Sequence, residues 1–185
     1  MYPGAFVDTH GSKPAVVMAD TGWTQTYAEL DANANRLSRV LRAAGLQPGD
    51  HIALCLENHP RFLEILWGCE YAGLIYTAAS SRLTIEELVY IVGDCGAKAY
   101  ITSTYKADQA AQLRTHAQNV GMWLMLDGVI DGFDSYEETV AAASPEPLDG
   151  RIAGADILYS SGTTGARREC SRRSNRPRSK SAAWV

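Results

Sequence analysis

Long hydrophobic runs are missing from this sequence. No stretch approaches the ~20 consecutive apolar residues that a membrane-spanning helix needs. The opening residues, Met1-Tyr2-Pro3-Gly4, carry neither a basic segment nor an apolar core of the secretory type, so a cytoplasmic chain is expected. Cysteine is sparse: Cys55, Cys69, Cys95 and Cys170 stand far apart, which excludes a dense disulfide framework and close-spaced thiolate metal ligands. The first three lie inside apolar patterns, where a reduced buried thiol is expected. His10, His51, His59 and His116 are equally scattered, and no metal site is expected from them.

Positive charge is also scarce, but only up to a point. Residues 1–165 hold 10 Lys+Arg against 20 Asp+Glu, a net of −10, whereas residues 166–185 hold 7 against 1, a net of +6. A net −4 over all 185 residues gives no reason to expect nucleic-acid binding by the body of the chain. The abrupt reversal marks the last twenty residues as a segment of different character. A basic, disordered tail (166–185) is therefore expected, after an N-terminal extension (1–13) and a globular domain (14–165).

What is present is a regular alternation of short apolar strands and amphipathic helices. Ala15 to Met18 and Trp23 to Thr26 read as two strands around a turn at Asp20-Thr21-Gly22. Thr26 and Glu29 form a capping box, followed by Leu30, Ala34, Leu37 and Leu41 on one helical face and by Gly45 as the stop. His51 to Leu56 is an apolar strand. Asn58 is expected to cap the next helix, with Pro60 in its first turn and its end near Gly73. Leu74 to Thr77 is a strand, and Thr84 with Glu87 opens another helix closed by Gly93 or Gly96. Lys98 to Thr102 is a strand, Tyr105 to Val120 a more polar helix, and Met122 to Leu126 a strand. Asp134 or Ser135 caps a short helix, Ser144 to Gly150 is a linker, and Asp156 to Tyr159 is a last strand. This order predicts an α/β fold with a mostly parallel sheet flanked by helices.

The chemistry concentrates in Ser160-Ser161-Gly162-Thr163-Thr164-Gly165, directly after that last strand. Glycines let the backbone turn tightly and approach a ligand, and successive amides can form an anion-binding nest. Four hydroxyls in six residues add neutral donors suited to phosphate oxygens. Composition alone fits a polar surface loop equally well. A Walker-type loop is excluded, because no lysine follows a glycine at the required spacing. Elsewhere, Glu86, Glu87, Glu137 and Glu138 read as caps or solvated faces. Trp23, Trp67, Trp123 and Tyr76 read as packing, and no residue is assigned a catalytic role.

Ile157 through Gly165 resembles the phosphate-binding signature of the adenylate-forming superfamily, which includes acyl-CoA synthetases. Further segments resemble that family in order: Thr26-Tyr27-Ala28-Glu29-Leu30, Gly45-Leu46-Gln47-Pro48-Gly49-Asp50, Asn58-His59-Pro60, Ala72-Gly73-Leu74-Ile75-Tyr76 and Thr84-Ile85-Glu86-Glu87-Leu88. The resemblance covers about residues 14–165 and implies an incomplete N-terminal domain of such an enzyme. It further implies that a carboxylic acid, of the fatty-acid class, is activated with ATP to acyl-AMP and passed to coenzyme A, with Mg2+ accompanying the nucleotide. Ser160 to Gly165 would hold the ATP phosphates.

After Gly165 the family pattern continues x-Pro-Lys-Gly, whereas this chain reads Ala166-Arg167-Arg168-Glu169-Cys170. One encoding of Ala166 to Ser171 (GCC CGA AGG GAA TGC AGT) yields Pro-Lys-Gly-Met-Gln when read two bases on. A frame change after Gly165 is therefore expected, and the gene's own codons decide it. The rival is an evolved basic tail for nucleic acid or anionic membrane, which lacks aromatic interleaving. The downstream family motifs are absent, so an inactive fragment is expected, or else a half-enzyme completed by a second chain. The loop is also expected to lack a return strand.

Overall fold

The computed structural model describes residues 2–160 and, for the backbone, residues 168–170. The N-terminal residues form a 3-10 turn (Pro3–Phe6) and a short helix α1 (Val7–His10). Strands β1 (Pro14–Val17) and β2 (Thr24–Thr26) pair as the antiparallel hairpin read from the sequence.

Helix α2 (Tyr27–Ala43) begins at the Thr26/Glu29 capping box, with both reciprocal hydrogen bonds made. Thr84 and Glu87 do the same for α4 (Ile85–Asp94). The helix ends follow one rule. After α2, α3 (Phe62–Tyr71) and α4, a left-handed glycine (Gly45, Gly73, Gly96) lets its own amide and the one after it fold back onto the last turn. Leu46, Leu74 and Ala97 donate to the carbonyls of Leu41, Cys69 and Val92, which satisfies otherwise orphaned acceptors.

Between these helices run β3 (His51–Leu56), β4 (Ile75–Ser80), β5 (Ala99–Ser103) and β6 (Met122–Leu126), with α5 (Ala107–His116) between the last two. Two-residue strands β7 (Asp134–Ser135) and β8 (Ala155–Asp156) flank them, and α6 (Tyr136–Ala141) lies between β7 and β8. The six strands form one sheet in the order β7-β6-β5-β3-β4-β8, and every pairing in it is parallel.

Side chains alternate across this sheet as the two-residue period requires. Ile52, Leu54, Leu56, Ile101, Leu124 and Leu126 pack on one side, under α2, α3 and α6. Ala53, Cys55, Tyr100, Trp123 and Met125 pack on the other, under α4 and α5. Burial on both faces explains why these strands read as continuous apolar runs.

Four expectations are corrected. Asn58 does not cap α3: the helix starts at Phe62, and the free amide of Arg61 is taken by the ring of His59, at 3.1 Å from Nδ1. Pro60 therefore sits in the turn before the helix. Helix α5 stops at His116 rather than Val120, because residues 117–121 must turn the chain back beside β5. The last strand is split at Ile157. Ala155–Asp156 joins the sheet, and β9 (Leu158–Ser160) leaves it to pair antiparallel with β10 (Arg168–Cys170). A return strand after the loop, Arg168–Cys170, thus exists.

Candidate functional site

The strands on either side of the candidate phosphate loop, β9 and β10, pair antiparallel. The pair nearest the loop is Ser160↔Arg168, with Tyr159↔Glu169 and Leu158↔Cys170 below it. Ser161, Gly162, Thr163, Thr164 and Gly165 lie outside the described residues, as does the side chain of Ser160. The approach to the loop is anchored. Ile157 is buried and its amide donates to Tyr76 O at 2.9 Å. The Tyr159 hydroxyl donates to Asp94 Oδ2 at 2.7 Å, tying β9 to the end of α4.

Parallel α/β sheets bind ligands at the carboxyl ends of strands where the connections reverse direction. Here β3 leads to β4 on one side and β5 leads to β6 on the other, so the reversal lies between β3 and β5. Glu57, Ser103 and Asp127 stand at the ends of β3, β5 and β6. Ser103 Oγ donates to Glu57 Oε2 at 2.6 Å, and His59 Nε2 lies 3.0 Å from Asp127 Oδ2. Glu57, His59 and Asp127 bring three potential ligand atoms within 4.8 Å of one another.

The hydrogen bonds argue against a cation there. His59 Nδ1 accepts the Arg61 amide. In the neutral ring the proton then sits on Nε2 and is donated to Asp127, so neither nitrogen keeps a lone pair for a metal. Nor do a histidine and two carboxylates match the all-oxygen octahedron that Mg2+ prefers. The dyad ties the β3–α3 turn to the β6 end, where Asp127 is the one non-glycine residue among those described with a positive φ, +62°.

A second polar cluster was not legible in the sequence. Glu64, inside the apolar pattern of α3, is fully buried. Its carboxylate accepts from Gln25 Nε2 (2.6 Å), Asn33 Nδ2 (3.0 Å), Arg61 Nη1 (3.0 Å) and Tyr136 OH (3.0 Å). Burial, and then the neighbouring Glu64 charge, push the Tyr136 phenol well above its usual value. Beside this network a cleft of about 270 Å³ is lined by Asn33, Arg36, Arg61, Glu137, Val140 and Ala141. Both arginines are engaged, Arg61 by Glu64 and Arg36 by backbone carbonyls, so the cleft offers no free cation. No local spacing announces such a network, because its members come from four separate elements.

Cys55, Cys69 and Cys95 are buried free thiols, as the sequence indicated, and burial pushes each thiol pKa up. They are poor nucleophiles in this setting. Among the described residues, no helix is long and apolar enough to cross a membrane.

Comparison with known proteins places the chain. The family model described as AMP-binding enzyme matches residues 5–168. A feruloyl-CoA synthase of Amycolatopsis sp is 34% identical over 158 residues, covering 83% of this chain and 29% of that protein. A long-chain-fatty-acid–CoA ligase of Mycobacterium tuberculosis is 32% identical over 154 residues, covering 82% and 30%. A solved fatty acyl CoA synthetase of Mycobacterium tuberculosis superposes with TM-score 0.79 and 25% identity, over 90% of this chain and 32% of that one. An anthranilate CoA ligase in complex with anthranoyl-AMP superposes with TM-score 0.83 at 19% identity, over 90% and 33%, and so shows the shared fold. The chain spans about 30% of the length of these curated relatives.

Proposed function

As the chain belongs to the AMP-binding enzyme family, we propose that it carries the front third of an acid–thiol ligase. Such an enzyme joins a carboxylic acid to AMP at the expense of ATP, then passes the acyl group to coenzyme A. The observation that carries this reading is the match over residues 5–168, which runs through the whole Ser160–Gly165 loop. Fatty acids are the proposed acid class, supported by the relative named as a long-chain-fatty-acid–CoA ligase. A cytoplasmic location belongs to the same proposal.

Within this reading the loop contributes donors. Ser160, Ser161, Thr163 and Thr164 supply hydroxyls, and Gly162 and Gly165 let backbone amides approach the phosphates closely. Preorganised donors of this kind stabilise the charge that shifts onto pyrophosphate as the acid attacks the α-phosphorus. Helix α4 and strand β4 serve as the footing for β9, through the Tyr159–Asp94 and Ile157–Tyr76 hydrogen bonds.

Residues 1–185 alone are proposed to be inactive, because about 70% of the relatives' length has no counterpart in them. A half-enzyme completed by a second chain is the other reading. It is favoured by the edge position of β8 and by Ile152 and Leu158, which are 53% and 45% exposed beside it. The test is pyrophosphate release from soluble chain with ATP, Mg2+, coenzyme A and a panel of carboxylic acids. No release above background is expected. Release that disappears in Thr164→Ala would overturn the inactivity and leave the loop assignment standing.

A further inference from the structure

Residues 142–154, which join α6 to β8, contain the segment expected as a linker, Ser144 to Gly150, and are bound to α2. Arg36 Nη1 donates to the carbonyls of Ala141 and Ala143. Arg39, one turn further on the same face, donates through Nε to Glu146 O at 2.6 Å and through Nη2 to Pro147 O at 2.9 Å. A planar guanidinium suits this bridging of two successive carbonyls, and a lysine ammonium does not.

Arg151 then reaches back from the segment itself. Its guanidinium lies 4.1 Å from the centroid of the buried Tyr71 ring and donates to Asn35 Oδ1. The Tyr71 hydroxyl donates in turn to Asp31 Oδ1 at 2.6 Å, so the contact is tied into α2 from both sides. Beyond Arg151 the backbone fits closely against the α3–β4 corner. A Cβ at Gly154 would lie 2.3 Å from Leu74 O and 2.9 Å from Glu70 Cα. The Gly154 amide donates to Glu70 O at 3.0 Å, and Ala155 and Ile157 continue the ladder onto Leu74 O and Tyr76 O.

A two-residue parallel pairing is too short to hold a strand by itself. We propose that Arg36, Arg39 and Arg151 are positioning residues that latch residues 142–154 to α2 as a strap, and through it fix β8 and the strand ending at Ser160. The latch stands on these contacts, whatever the loop after Ser160 binds.

Native-state hydrogen exchange on the whole chain tests it. Arg39→Met and Arg151→Met each keep an aliphatic stem and remove the donors. Each is expected to speed exchange at the amides of Gly154, Ala155 and Ile157 by about tenfold, as loss of hydrogen bonds from a charged group implies. Ala53 and Leu54 in β3 should exchange as before. Arg39→Lys should restore only part of the protection. Unchanged exchange at residues 154–157 in both methionine variants overturns the latch, and so does equal acceleration in β3, which would mean a general loss of stability. Absence of pyrophosphate release bears on the proposed function and leaves this exchange pattern unaffected.

Discussion

Gly68 and Gly93 invite the same substitution and should respond with opposite signs. Gly68 lies in α3 against α2, where an added Cβ would come within 2.6 Å of Leu37 Cδ2, 2.8 Å of Cγ and 2.9 Å of Cβ. Carbon atoms in contact prefer about 3.5–4.0 Å. Rotating Leu37 moves its terminal carbons and leaves its Cβ in place, so the two helices must separate. Leu37 is fully buried, so the displaced packing has no solvent to yield into. Overpacking of this kind costs about 1–3 kcal/mol, against a gain of about 1 kcal/mol for replacing a helical glycine by alanine. Because the clash reaches a Cβ, the upper half of that range applies, and Gly68→Ala should lose about 1–2 kcal/mol. Gly93 in α4 faces open space, with nothing within 4 Å of the added carbon. Gly93→Ala should therefore gain up to about 1 kcal/mol. Urea unfolding reads the difference: with a slope of about 1–3 kcal/mol per molar, the two midpoints should separate by roughly 1 M. If Gly68→Ala is as stable as the parent, the close approach of α2 and α3 is wrong.

Glu64→Gln leaves one amide oxygen where a carboxylate now serves four donors, and leaves Arg61 without its buried partner. Breaking a buried pair costs about 3–5 kcal/mol; since the Arg61 side chain is 32% exposed and can rehydrate, about 3 kcal/mol is expected by urea unfolding, and a loss below about 1 kcal/mol would refute the network's role. Asp50 behaves as a pH-dependent contact. Burial raises its pKa, but the Gln47 amide and the Lys98 ammonium at 2.7 Å together hold it below its ordinary value. Its contribution to stability is therefore present above the ordinary carboxylate range and lost as pH falls through the lower folded value. Asp50→Asn should be less stable than the parent at pH 7, and the gap should close on acidification; a gap independent of pH would show that the ionised pair contributes nothing.

Much of the scaffold was legible in local sequence because local chemistry specifies it. Thr26 with Glu29 and Thr84 with Glu87 announce helix starts, since those side chains reach only their own first turns. Gly45 and Gly96 announce helix ends, because the left-handed conformation there penalises a Cβ. Runs such as His51–Leu56 and Met122–Leu126 announce strands covered on both faces, and their alternation with helices announced a parallel α/β sheet. The Ser160–Gly165 loop was conspicuous for the same reason, being a contiguous run of donors.

What depends on residues distant in sequence was decided only by the tertiary structure. The start of α3 was misplaced because His59, held by Asp127 from the end of β6, takes the amide that Asn58 was expected to cap. The burial of Glu64 depends on donors from β2, α2 and α6, and no single segment contains that information. The linker became a strap because Arg36 and Arg39 on α2 meet carbonyls more than a hundred residues later. A capping box or a glycine stop is a contact between near neighbours, so its signal survives in the order of the residues. A buried carboxylate or a latched segment is satisfied by whichever donors the folded chain brings beside it, and those partners exist only once the sheet and its helices have packed.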